Sequence, residues 1–211
     1  MKFFASRARG LGCINAEWPD LYGHYREAKF TQTKHHWWWK ANWVFDQLRV
    51  IKHHDGNFRS FLAPNSSDIV TQLYLRLSFS ILKGMVLFLE EDHFVSTDFL
   101  NVLQLAEAER TTRYPKCDII CLGTYLEHYN NFNQEDHKTV TIMPWVSNKH
   151  NMGMAFGKSV WKKIHRCQEH FCHYDDYNWD WSLQHVSNQC LEKPMQVMLV
   201  KAPRVFHMGE W

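Results

Sequence analysis

Apolar residues in this chain come mostly in short dense runs, and one of them, Val86 to Phe94 (VLFLEEDHF), organises the others. Val86, Leu87, Phe88 and Leu89 contain no turn residue, which predicts a fully buried strand, and they lead directly into Glu90, Glu91 and Asp92. A buried strand thus delivers its acids to its own C-terminal end. In open α/β sheets that edge binds ligands, so acids there point to a metal or a sugar-phosphate ligand. The plain alternative is an exposed acidic turn.

The other runs predict a mixed succession of elements. Trp37, Ala41, Val44, Phe45, Leu48 and Ile51 recur at spacings of three and four, the apolar stripe of a helix over about Lys34 to His53, ended by Asp55-Gly56. Its first turn would carry Gln32, Thr33, Lys34, His35 and His36, a place for phosphate oxygens or a solvated turn. Trp37, Trp38 and Trp39 are consecutive, so at least one must leave the core. After the acidic strand, Ser96 or Thr97 would cap a helix bearing Leu100, Leu103 and Ala106 or Glu107 and ending near Arg113. Asp118 to Thr124 reads as a second buried strand, Tyr125 to Lys138 as a loop, and Asn151 to Phe156 as a short strand. Val160, Ile164, Cys167 and Phe171 share one helical face, and Val197 to Val200 closes the pattern as a strand. Strands alternating with helices define an α/β class, and the 211 residues suit a single domain spanning 1–211.

Composition narrows the partners. With 24 basic and 22 acidic residues, and no basic run, the chain does not suit nucleic-acid binding by counterion release. Ten Trp and fourteen Phe exceed the needs of a small core and suit stacking on ring-shaped ligands such as carbohydrate. Six cysteines without a repeated C-x-x-C favour disulfides over a zinc site, and one of Cys167 and Cys172 is a candidate partner for Cys190. His35-His36 and His53-His54 lack the H-E-x-x-H spacing of a zinc hydrolase.

The second acidic cluster is Tyr174 to Trp181 (YDDYNWDW). A helix starting near Asp176 would set Asp176 and Asp180 on one face, with Trp179 and Trp181 flanking Asp180. Burial between indoles suits a carboxylate to general-base work near neutral pH, whereas stabilisation of a first helical turn is the simpler explanation. His207, in RVFHMG, is a candidate metal ligand alongside the first cluster, because oxygen and imidazole together suit manganese or a similar divalent ion.

QTKHHWWWK at Gln32 to Lys40, LFLEEDH at Leu87 to His93, LGTY at Leu122 to Tyr125, HNMG at His150 to Gly153, and YDDYNWDW resemble the Golgi N-acetylglucosaminyltransferase II family. The likeness runs from about Gly12 to Gly209. It implies a GT-A type (Rossmann-like) fold that moves N-acetylglucosamine from UDP-GlcNAc, with inversion, in β-1,2 linkage to the α-1,6-linked mannose of an N-glycan. It further implies that Asp92 and His207 hold Mn2+, that Asp180 is the base, and that Gln32, Thr33, Lys34, His35, His36 and Glu91 bind the donor. Trp179, Asp176 and Asn151 would meet the acceptor, Cys167 would pair with Cys190, and the working site would be the Golgi lumen, behind a membrane anchor that this chain does not contain. The first nucleotide-binding strands expected of the family are also missing, Tyr114 stands where the family has a cysteine, and Asn57 to Lys83 reads as an insertion or translated intron that loops out. A catalytically inactive carbohydrate-binding remnant is the alternative of a different class.

Overall fold

The computed structural model describes residues 28–47, 79–82, 84–125, 136–174 and 178–209. They fall into two compact units, one holding residues 28–47, 161–174 and 178–193, the other residues 79–82, 84–125, 136–160 and 194–209.

The second unit is built on a six-stranded sheet. Its strands are β1 (Phe79–Leu82), β2 (Met85–Phe88), β4 (Ile119–Cys121), β5 (Val140–Pro144), β6 (Met154–Gly157) and β7 (Gln196–Val200), in the order β1-β2-β6-β4-β7-β5. The β4–β7 pair is parallel and the other pairings are antiparallel, so the sheet is mixed. The apolar run expected to be a buried strand is β2, with all four residues buried. Residues 79–82, read from the sequence as part of a looped-out insertion, instead extend the sheet as β1. They form a hairpin with β2 through Gly84, whose φ of 85° glycine tolerates without a Cβ clash. The rest of that segment, residues 57–78, lies outside the described residues.

Helix α2 spans Phe99–Arg113, and its buried Leu103, Ala106 and Glu107 follow the expected spacing. Its N-cap is Asp98 rather than Ser96 or Thr97. Leu87, Leu103, Ile120, Leu122, Ala155, Met198 and Val205 form the core of this unit. Cys117 is enclosed there as a thiol donating to the Ile119 carbonyl at 3.3 Å, and burial pushes its pKa up to about 11. Two short strands, β3 (His93–Val95) and β8 (Val205–His207), pair antiparallel beside the sheet, with His93 opposite His207. Neither β3 nor β5 was expected from the sequence, being brief or only half-buried.

The first unit is helical and aromatic. Helix α1 spans Ala28–Asn42 and widens into a π-helical turn at Trp43–Gln47, while the predicted continuation over residues 48–53 lies outside the described residues. Because the helix is already formed at Ala28, Gln32 to His36 are not its first turn. Their N–H groups lie within the helical ladder and are unavailable to phosphate. The predicted face from Val160 to Phe171 is buried but broken at Cys167. It gives α4 (Lys158–Arg166), which runs on from β6, and α5 (Gln168–His173), after α3 (Ser147–His150) earlier in the chain. Helix α6 is Trp179–Gln189. Cys167 at the start of α5 is disulfide-bonded to Cys190 at the end of α6, the pair that the family likeness implies.

The three consecutive tryptophans divide as helix geometry requires: Trp37 is buried, Trp38 half-buried and Trp39 58% exposed. Trp37 stacks on Trp179 and Phe171, and Trp38 lies against Trp161 and Phe171. Lys34 is fully buried among them, its Nζ donating to the Cys172 carbonyl at 3.0 Å and lying over the Phe171 ring. No helix among the described residues is long and apolar enough to cross a membrane.

Candidate functional site

The acids after β2 lie on a turn that returns the chain into β3. The His93 N–H donates to the Glu90 carbonyl, and the Glu90 N–H donates to His93 Nδ1 at 3.1 Å. Since Nδ1 accepts, the neutral His93 ring carries its proton on Nε2. Its side chain is 2% exposed, and burial, opposed in part by Asp92, holds its pKa below the ordinary histidine value.

Asp92 is the point where the two chain segments meet. Its carbonyl accepts the Met208 N–H at 2.8 Å, and its Oδ2 lies 2.9 Å from His207 Nε2. Its Oδ1 is buried and has no hydrogen-bond partner among the described residues. A buried carboxylate oxygen left without a donor is costly unless something positive fills the place. Gly209 lets the chain pass close to the pair: a Cβ there would come within 2.7 Å of His207 Cε1 and 2.9 Å of Asp92 Oδ2. Two ligands at about 2.1 Å from an octahedral ion are about 3 Å apart, so the Asp92–His207 spacing fits a shared divalent ion. Oxygen with imidazole is also the donor set manganese accepts.

Glu90, Asp92 and His93 also present their ligand atoms within 4.8 Å of one another, the one such group of three among the described residues. The sequence marks Glu90 and Asp92 among the acids at this edge and His207 as a candidate ligand, but not His93. The usable signal was the i, i+3 spacing of Glu90 and His93 across a turn. Glu91, between them in sequence with Asp92, is exposed.

In the other unit, Asn178 caps α6 by accepting the Trp179 N–H at 3.0 Å. The helix therefore begins after Asp176, which removes the shared helical face proposed for Asp176 and Asp180; Asp176 itself lies outside the described residues. Asp180 is 3% exposed, with Oδ1 accepting the Trp181 N–H at 2.8 Å. Trp179 was expected to stack on sugar. It is 5% exposed and lies parallel to Trp37 at 4.9 Å, so its indole is core and Trp181, 40% exposed, is the outward ring of the pair. Of the donor set, Gln32, Thr33, His35 and His36 are exposed on α1, while Lys34 is turned inward. Asn151 is half-buried at the C-cap of α3.

The described residues thus combine a mixed α/β sheet with a carboxylate–imidazole contact beside it. The profile of the N-acetylglucosaminyltransferase II family matches residues 2–74 and 70–211, and the chain belongs to that family. It is 38% identical over 200 residues to the human alpha-1,6-mannosyl-glycoprotein 2-beta-N-acetylglucosaminyltransferase, covering 95% of this chain and 38% of the human protein. The rat enzyme of the same name is 40% identical over the same shares. The Arabidopsis thaliana enzyme is 28% identical over 162 residues, 77% of this chain and 30% of its own. The chain thus spans well under half the length of the curated relatives it matches.

Proposed function

We propose that this chain forms part of an inverting, metal-dependent transferase that moves N-acetylglucosamine from UDP-GlcNAc to the 2-hydroxyl of the α-1,6-linked mannose of an N-glycan. The contact between Asp92 and His207, in a member of this family, is the observation that carries the proposal. Asp92 and His207 would hold manganese, whose charge offsets that developing on the departing UDP. Glu91 is assigned to the donor, together with the exposed Gln32, Thr33, His35 and His36. Asn151 and Asp176 are assigned to the acceptor.

Asp180 would take the proton of the mannose hydroxyl as the new bond forms between that oxygen and the anomeric carbon. The bond from the anomeric carbon to the diphosphate oxygen breaks on the opposite side, and UDP leaves with its electron pair. We read the mixed sheet as part of a GT-A type fold, and the setting as the Golgi lumen. The Cys167–Cys190 disulfide supports an oxidising compartment.

The test is a transfer assay with UDP-GlcNAc, manganese and a glycan already carrying N-acetylglucosamine on its α-1,3 arm. Asp180→Asn should lower turnover by about 10²–10⁴-fold. Full activity in that variant would overturn the assignment of the base, whereas glycan binding without UDP binding would identify an inactive carbohydrate-binding remnant.

A further inference from the structure

Strands β3 and β8 are three residues long, and a ribbon that short does not hold its own register. Register matters here because a slip of one residue would turn His207 to the opposite face and place Phe206 against Asp92. Something outside the strands must fix it. At the end remote from His207, the ladder continues with the Ser96 N–H donating to the Arg204 carbonyl at 2.9 Å. Arg204 Nε then donates to Asp98 Oδ2 at 2.9 Å, and Ser96 Oγ donates to Asp98 Oδ1 at 2.8 Å.

Asp98 departs from the habit of its position. An aspartate at a helix N-cap ordinarily accepts N–H groups from the first turn, yet this one makes no side-chain cap bond. Both its oxygens are engaged with the ribbon instead. The Arg204 side chain is 11% exposed and also donates from Nη1 to the Ala202 carbonyl, while its N–H donates to the Leu122 carbonyl at 2.7 Å. The residue is therefore tied to α2, to the end of β4 and to its own approach loop.

We infer that Asp98 and Arg204 are positioning residues, a clasp that sets the register of β8 so that His207 meets Asp92. The inference rests on the proposed metal site, and its test separates the two. Manganese binding to the full chain is titrated by electron paramagnetic resonance of the free ion, and exchange of the Met208 amide is followed alongside. That amide donates to the Asp92 carbonyl and so reports register without any metal.

Asp98→Asn should weaken manganese binding by up to about tenfold, the lower end of what losing a direct partner of a metal ligand causes, since Asp98 acts on His207 through Arg204 and the ribbon. Arg204→Lys should fall between it and the unsubstituted chain, and the milder Ser96→Ala serves if Asp98→Asn does not fold. The control is Glu107→Gln, which breaks the bidentate pair with Arg110 farther along the same helix. It should lower the unfolding midpoint and leave manganese affinity within about twofold, the expected result for a charge pair with no metal ligand to support. Unchanged affinity with a slowly exchanging Met208 amide in both Asp98→Asn and Ser96→Ala would overturn the clasp. If the unsubstituted chain binds no manganese, the metal reading fails, and the clasp stands or falls on whether Asp98→Asn speeds Met208 exchange more than Glu107→Gln does.

Discussion

His150 shows how one side chain can tie stability to pH. It is 2% exposed, its Nδ1 accepts the Val146 N–H at 2.9 Å, and burial with Lys149 nearby pushes its pKa down to about 4. The unfolded chain takes up a proton below about pH 6.5 that the folded chain refuses until about pH 4, so stability falls as pH drops through that window. The loss should approach ~2–3 kcal/mol. Urea unfolding at pH 7 and pH 4.5 measures it, and His150→Gln should show a shallower decline; an identical decline would exclude His150 as the cause. The tryptophans show what a single residue hides from sequence reading. The pattern YDDYNWDW announces aromatics around Asp180, but whether Trp179 or Trp181 faces outward depends on Trp37, which is distant in sequence.

The Cys167–Cys190 bond joins the N-cap of α5 to the C-cap of α6, across a separation of 23 residues. Closing a loop of that length removes enough freedom from the unfolded chain to stabilise it by about 3 kcal/mol. Cys190→Ser should lower stability by about that amount in denaturant titration, and an unchanged midpoint would show that the unit does not depend on the bond. Elements with strong local patterns were legible: β2, α2 and β7 lie within a residue or two of their expected bounds. The start of α1 was not, because Leu11 to Phe30 carries no sustained apolar period. The cap of α2 was misread for a different reason. Ser96 is an able cap residue by type, but its hydroxyl is engaged by Asp98.

The order of strands in the sheet follows no local signal, and neither does the meeting of Asp92 with His207, which needs both the turn after β2 and the return of β8. Residue chemistry did mark both as candidates before their contact was visible. If the centre binds manganese, the ion stabilises the fold by mass action, by about 2.7 kcal/mol at a hundredfold excess over Kd. For a chain of this size that corresponds to a rise in Tm of about 5–10 °C. A thermal scan should show the rise, chelator should reverse it, and Asp92→Asn should remove it; a rise that survives Asp92→Asn would place the ion elsewhere. The pairing of β3 with β8 also orders events in time. Because β8 follows the other described strands along the chain, a ribosome releases Asp92 long before His207, and the nascent protein carries Asp92 without the His207 imidazole until synthesis has passed β8.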